Sequence, residues 1–140
     1  MINFNVETEG FKLSDIRKKK SWLKDLVNEQ GFKLGELNYI FLDDEGLHKI
    51  NLEYLNHDTY TDIITFDNSE VEDMIEGDIF VSVDRIAENA NKFEVDFETE
   101  LTRVMAHGVL HLCGYLDKKP ADVKLMRDME DKYIGKYGEL

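Results

Sequence analysis

"VMAHGVLHLCGYLD", residues 104–117, is the stretch that decides how this chain is read. The chain is 34% charged, yet no side chain between Arg103 and Asp117 carries a permanent charge. A helix of that composition is buried on most sides. It also holds His107 and His111, one turn apart, so both rings leave the same side of the helix. Two imidazoles inside a protein must find partners. A metal ion satisfies both at once, and four-residue spacing is how a helix offers two histidines to one ion.

Gly114 follows His111 by three residues, where a helix ends through a positive φ and the chain turns back. Asp117 comes three residues later, so the returning chain can bring its carboxylate to the same ion. Counted from His107, the glycine falls at +7 and the aspartate at +10, the frame of the zincin pattern H-E-x-x-H-x-x-G-x-x-H with its last ligand changed. Carboxylate oxygen is an accepted zinc ligand, and three protein ligands leave a fourth position for water, as catalytic sites do. Cys113 competes for the third ligand position, but it sits two residues from His111, almost on the opposite face. It reads as a core packer. The general-base glutamate of zinc peptidases would occupy position 108, which is glycine here, so proteolysis by the usual route is not expected. His48 and His57 have no comparable spacing and read as ordinary surface or partly buried residues.

Outward from this helix the chain shows a regular succession of elements. "INFNV" alternates Ile2, Phe4 and Val6 as a short strand, and "GELNYIFLDD" does the same with Leu37, Tyr39 and Phe41. Between them, Ser14 is a candidate cap for a helix reaching about Gln30 and closed by Gly31, with Ile16, Trp22, Leu23, Leu26 and Val27 on its apolar side. Asp43 or Asp44 opens a second helix facing the core with Leu47, Ile50 and Leu55. "TDIITF" and "GDIFVSV" are strands, joined by an acidic loop from Asp67 to Glu76. "DRIAENANKF" is a third helix, Asp96 or Phe97 opens the histidine helix, and Pro120 suits the first turn of a fifth. The order β-α-β-α-β-β-α-α-α predicts an α+β fold: one small mixed sheet of about four strands, covered by about five helices. The two adjacent strands would pair antiparallel.

The 140 residues are expected to form one domain, 1–140. No apolar run is long enough to cross a bilayer, which takes about 20 residues, and the N-terminus lacks the pattern of a secretory signal. The single cysteine excludes an internal disulfide and agrees with a cytoplasmic setting. A net charge of −13 disfavours a protein that coats nucleic acid. One basic cluster runs against that balance: Arg17, Lys18, Lys19, Lys20 and Lys24. It reads as a solvated helix face, with a strip for RNA as the alternative.

At the level of motifs the sequence resembles the YbeY family of bacterial metal-dependent endoribonucleases, whose signature is close to H-G-x-L-H-L-x-G-Y-D-H. "HGVLHLCGYLD" matches it at His107, Gly108, Leu110, His111, Leu112, Gly114 and Tyr115. "YLNHDTYTDIITF", residues 54–66, is similar to the family segment Y-R-x-x-D-x-P-T-D-V-L-S-F, and "GDIFVSV" matches its G-D-I strand. The resemblance implies one Zn²⁺ (or another divalent ion) per chain, held by His107, His111 and Asp117. It also implies cleavage of single-stranded RNA in ribosomal RNA processing, notably maturation of the small-subunit RNA 3′ end, and association with ribosomes or their proteins. Membrane and DNA are not expected partners. Asp62 and Asp78, in the second and third segments, are weak candidates for orienting water or a ring; Thr61 reads as structural. The chain departs from the family at Asp117 (histidine), Leu55 (arginine) and Tyr60 (proline). The missing arginine leaves phosphate to be gripped by Arg85, Arg103 or the Lys18–Lys20 cluster.

The mechanism expected is metal-assisted hydrolysis of an RNA phosphodiester, with activated water or the substrate's own 2′-hydroxyl as attacker. Two alternatives stand beside it: a non-catalytic ribosome-assembly factor stabilised by its metal, and another zinc hydrolase such as a peptidase or amidase.

Overall fold

A computed structural model describes residues 1–140. The order is β1 (Ile2–Val6), α1 (Ile16–Glu29), β2 (Lys33–Leu42), α2 (Asp44–Leu55), β3 (Ile63–Asp67), β4 (Met74–Ser82), α3 (Val83–Lys92), α4 (Phe97–Leu112) and α5 (Pro120–Gly138). The strands form one sheet in the order β1-β2-β4-β3. β1 and β4 both run parallel to β2, and β3 pairs antiparallel with β4, as the short connection between them demands. The expected mixed α+β sheet is the one observed.

Side-chain alternation divides the sheet into two faces. Leu37, Tyr39 and Phe41 of β2 are fully buried, as are Ile79 and Val81 of β4. They meet Trp22, Leu23, Leu26 and Val27 of α1 and Leu101, Met105, Val109 and Leu110 of α4 in the main core. The other face is covered by α2 alone, in a small cluster of Leu42, Leu47 and Ile64. α4 is the central helix. Six of the seven residues from Val104 to Leu110 are buried, His107 being the exception. Each apolar side chain so removed from water contributes roughly 1.5–3 kcal/mol before entropy is counted.

α4 lies close to the sheet because Gly108 lets it. A Cβ there would stand 3.0 Å from Ile63 Cδ1 and from Ile79 Cδ1 and Cγ2. Asp96 caps α4, its side chain accepting from Thr99 N at 2.8 Å, and Asp43 caps α2 in the same way through Gly46 N. Ser82 caps α3.

Several local expectations give way. Ser14 does not cap α1; the helix starts after Asp15, which is left-handed (φ 51°) and makes no side-chain cap. Ser14's carbonyl is drawn instead to the buried ammonium of Lys19. Lys19 is thus not part of a solvated face: it is 0% exposed and also bonds Glu98 Oε1 and Tyr137 OH. Ile16 and Leu55, at helix ends beyond the covered area, are exposed. β2 begins two residues before Gly35, with a register shift between Leu34 and Leu37. β3 and β4 extend into the expected acidic loop, taking Asp67 and Met74–Glu76 into the hairpin.

Candidate metal centre

α4 ends through the glycine that the spacing singles out. Gly114 has φ 105°, Tyr115 N bonds Leu110 O at 3.0 Å and Gly114 N bonds His111 O at 3.0 Å, the paired bonds of a Schellman turn. This turn does two things for the histidines. It swings Tyr115's carbonyl under His111, where Nδ1–H donates to it at 2.9 Å. It also returns the chain so that Asp117 faces both rings: Asp117 Oδ2 is 3.2 Å from His111 Nε2 and 3.4 Å from His107 Nε2. Tyr115's hydroxyl anchors the returning strand by donating to Gln30 Oε1 at 2.8 Å.

His107 is oriented from another element. Its Nδ1 lies 2.6 Å from Glu130 Oε2 on α5. Glu130, 5% exposed, is itself held by Arg103 Nη1 at 2.9 Å, and Arg103 reaches on to Asp131 at 2.7 Å. Burial alone would raise Glu130's carboxyl; His107 and Arg103 outweigh it, and its pKa lies below the ordinary value. Burial alone would lower His107; the hydrogen bond to Glu130 and the charges of Glu130, Asp117 and Asp62 overcome this, and its pKa is raised.

These partners fix the tautomers. A carboxylate and a carbonyl can only accept, so both Nδ1 atoms carry the proton and both Nε2 atoms present lone pairs. Two lone pairs and a carboxylate oxygen then converge on one point, which calls for a cation. The three donor atoms lie within 4.8 Å of one another. The two contacts through Asp117, 3.2 and 3.4 Å, match the edge of about 3.4 Å in a tetrahedron with metal–ligand bonds of about 2.0–2.1 Å. The donor set therefore fits a zinc-like ion. A histidine held by a buried carboxylate behind it is how metal-binding imidazoles are oriented.

The centre opens into a cleft of ≈ 320 Å³ whose walls include Asp62, Phe93, Glu100, Arg103 and Arg127. Burial raises the pKa of Asp62, partly countered by His107, and burial likewise raises that of Glu100. Of the two weak candidates, only Asp62 reaches the site. Asp78 points from the other face of the sheet, accepting from Asn38 Nδ2 at 3.0 Å and Asn68 Nδ2 at 3.2 Å. Thr61's hydroxyl bonds the carbonyl of Ile63.

Of the cations named as substitutes for the family arginine, Arg103 lines the cleft. Arg85 is tied to Asp44 at 3.2 Å, and none of Lys18–Lys20 lines it. Cys113 packs against the core and burial pushes its thiol up to about 12, so it offers no thiolate. His48 pairs with Asp58 and stacks on Tyr60, and His57 is exposed. Glu130, Glu100 and Arg127 are cleft residues that the motifs did not reveal. No local pattern marks them, although Glu130 follows Arg127 at helical spacing, with 3.6 Å between their charged atoms.

The chain is similar to known proteins along nearly its whole length. The sequence model described as endoribonuclease YbeY matches residues 2–138. A protein named endoribonuclease YbeY from Flavobacterium johnsoniae is 56% identical over 137 residues, covering 98% of this chain and 97% of its own length. Another of that name from Flavobacterium psychrophilum is 50% identical over 134 residues, covering 96% and 94%. A solution structure from Thermotoga maritima superimposes with a TM-score of 0.72 at 30% identity, covering 99% of this chain and 91% of its own.

Proposed function

The chain belongs to the endoribonuclease YbeY family, and from that premise we propose that it cuts single-stranded RNA at the cleft beside His107, His111 and Asp117, using one divalent ion, zinc by its donor set. We further propose that residues 1–140 act as one domain, that the substrate is ribosomal RNA, with maturation of the small-subunit RNA 3′ end as the reaction, and that the setting is cytoplasmic and close to the ribosome. In line with that setting, no helix is long and apolar enough to cross a membrane.

The observation that carries the reading is the convergence of His107 Nε2, His111 Nε2 and Asp117 Oδ2, with His107 held from behind by Glu130 and His111 by the carbonyl of Tyr115. A divalent ion held there supplies Lewis acidity toward a phosphoryl oxygen and lowers the pKa of an attacking water. The rest falls to the chain. Glu130 keeps His107's proton on Nδ1, so that Nε2 stays available. Asp62, its carboxyl raised by burial, takes a proton nearer neutrality than an ordinary aspartate and is the base of the cleft. Arg127, 51% exposed at the side chain and held to Glu130 only at 3.6 Å, is the guanidinium that can turn to a phosphate. Arg103 is committed to Glu130 and Asp131.

Gly108 disfavours the peptidase alternative on steric grounds. Its Cα faces Ile63 and Ile79 in the core, so a glutamate there could not reach the cleft. The decisive experiment pairs His111→Ala with the wild type. The variant is expected to lose both metal retention and cleavage of a single-stranded RNA. Undiminished cleavage by a variant shown to be metal-free refutes the proposal. A wild type that binds ribosomes and metal without cutting RNA assigns it to the assembly-factor alternative.

A further inference from the structure

The cleft has an unusual charge balance for an RNA site. Its walls hold four carboxylates, Asp62, Glu100, Asp117 and Glu130, against two guanidinium groups, Arg103 and Arg127. The formal excess is two negative charges, which one divalent ion cancels. With a net charge of −13 over the whole chain, phosphate attraction alone does not hold RNA here as it does in basic nucleases. Something uncharged must supply the affinity.

Apart from His107, Phe93 is the one aromatic residue in the wall of this cleft. It is 48% exposed, so part of its ring is open to a ligand entering the cleft. Its backbone is held firmly all the same. Phe93 N bonds Asn89 O at 2.9 Å, and α3 closes behind it through Val95 N to Ala90 O at 3.0 Å. The residue between, Glu94, is left-handed at φ 56°, where glycine is the usual choice. A non-glycine residue there costs about 1 kcal/mol and persists where surrounding structure demands it. The turn places the backbone of Phe93 at the rim. Two cations flank it: Lys92 Nζ lies 5.6 Å and Arg127 Cζ 5.9 Å from the ring centroid.

We propose that Phe93 is a stacking platform for one unpaired nucleobase of the RNA beside the candidate metal centre, with Arg127 meeting the adjoining phosphate. This rests on the endoribonuclease reading above and adds to it the source of strand specificity. A base can lie on the ring only when it has left its own helix, so a paired strand gains nothing from Phe93. An aromatic face accepts every base, so the site selects for single strands without selecting a sequence.

The test uses the full chain loaded with zinc and an oligouridylate carrying one central 2-aminopurine, whose fluorescence falls when the base stacks. Phe93→Leu keeps apolar bulk and removes the π-face; Phe93→Tyr keeps the face. The wild type and Phe93→Tyr are expected to quench the probe in stopped flow before turnover. Phe93→Leu is expected to lose that quench and to raise KM by roughly 5- to 100-fold, the range of one lost base–aromatic stack, with kcat changed far less. The preference for single over double strands should shrink by the same factor. If Phe93→Leu quenches and cuts as the wild type does, the platform is refuted while the endoribonuclease reading stands. If the wild type neither binds nor cuts the RNA, both fall together.

Discussion

Replacing Glu130 by glutamine tests the centre where it is least visible from sequence. The two oxygens of Glu130 serve different donors: Oε1 accepts from Arg103 at 2.9 Å and Oε2 from His107 Nδ1 at 2.6 Å. Glutamine keeps the shape but has one oxygen and one NH₂. Whichever way the amide turns, a donor meets a donor. If the oxygen stays with Arg103, the NH₂ faces His107 and favours the tautomer with its proton on Nε2, where the metal should bind. If the oxygen stays with His107, Arg103 loses a charged partner and keeps only Asp131, and His107 loses the carboxylate that makes it a good ligand. Loss of an outer partner of this kind weakens metal binding by about 10- to 100-fold, or roughly 1.4–2.7 kcal/mol. One unsatisfied buried donor costs the metal-free protein about 1–3 kcal/mol, or roughly 3–10 °C in Tm for a domain of this size. Competition with a chromophoric zinc chelator at 20 °C reads the first quantity, and calorimetry with excess chelator reads the second. RNA cleavage by Glu130→Gln should recover with excess zinc, because the lesion lies in ligand orientation. A variant whose zinc Kd stays within threefold of the wild type would show that Glu130 does not set the state of His107.

Three further outcomes follow from the same geometry. His107's raised pKa means that its proton stabilises the metal-free fold fully below its ordinary value of 6.5, an effect lost as pH rises through the folded value. Glu130's lowered pKa contributes stability above its ordinary value of 4.5, lost as pH falls. Metal-free protein should therefore melt highest between about pH 5 and 6.5, and zinc, which needs His107 unprotonated, should move that maximum upward in a pH series of melts. Gly108→Glu, which restores the peptidase residue, should unfold the protein or lower Tm by more than 10 °C, since the carboxylate would enter the Ile63–Ile79 contact and cost upward of about 3 kcal/mol; a folded variant with peptidase activity refutes the packing assigned to Gly108. Asp78→Ala should leave zinc affinity unchanged within error and cost about 1 kcal/mol in urea unfolding, because it removes only the acceptor shared by Asn38 and Asn68.

How far the sequence foretells this molecule depends on how local each signal is. The strands and helices were legible because burial stamps a period of 2 or 3.6 on each segment. Leu37, Tyr39 and Phe41 are all fully buried, as their alternation predicts. The convergence of the candidate metal triad was legible for a similar reason: one helical turn and one Schellman turn relate its three members within eleven residues. Caps and ends were less so. Ser14 has the right chemistry for a cap, yet the helix starts after Asp15, and Lys19, a lysine that composition would place in water, turns inward to Glu98 and Tyr137. That ion pair joins residues 79 apart and leaves no periodic trace. Glu130 escapes by the same logic. It meets His107 only because α5 packs on α4, and 23 residues separate the two. Asp62 and Asp78 are a matched contrast. Both are strand-associated aspartates in motif segments, but strand parity and position put one carboxylate in the cleft and the other across the sheet among asparagines. A ligand's identity can thus be carried by a motif. Its tautomer, charge and basicity are set by residues brought to it by tertiary packing, which is why a change at Glu130 or Phe93 tests this site more sharply than a change within the signature itself.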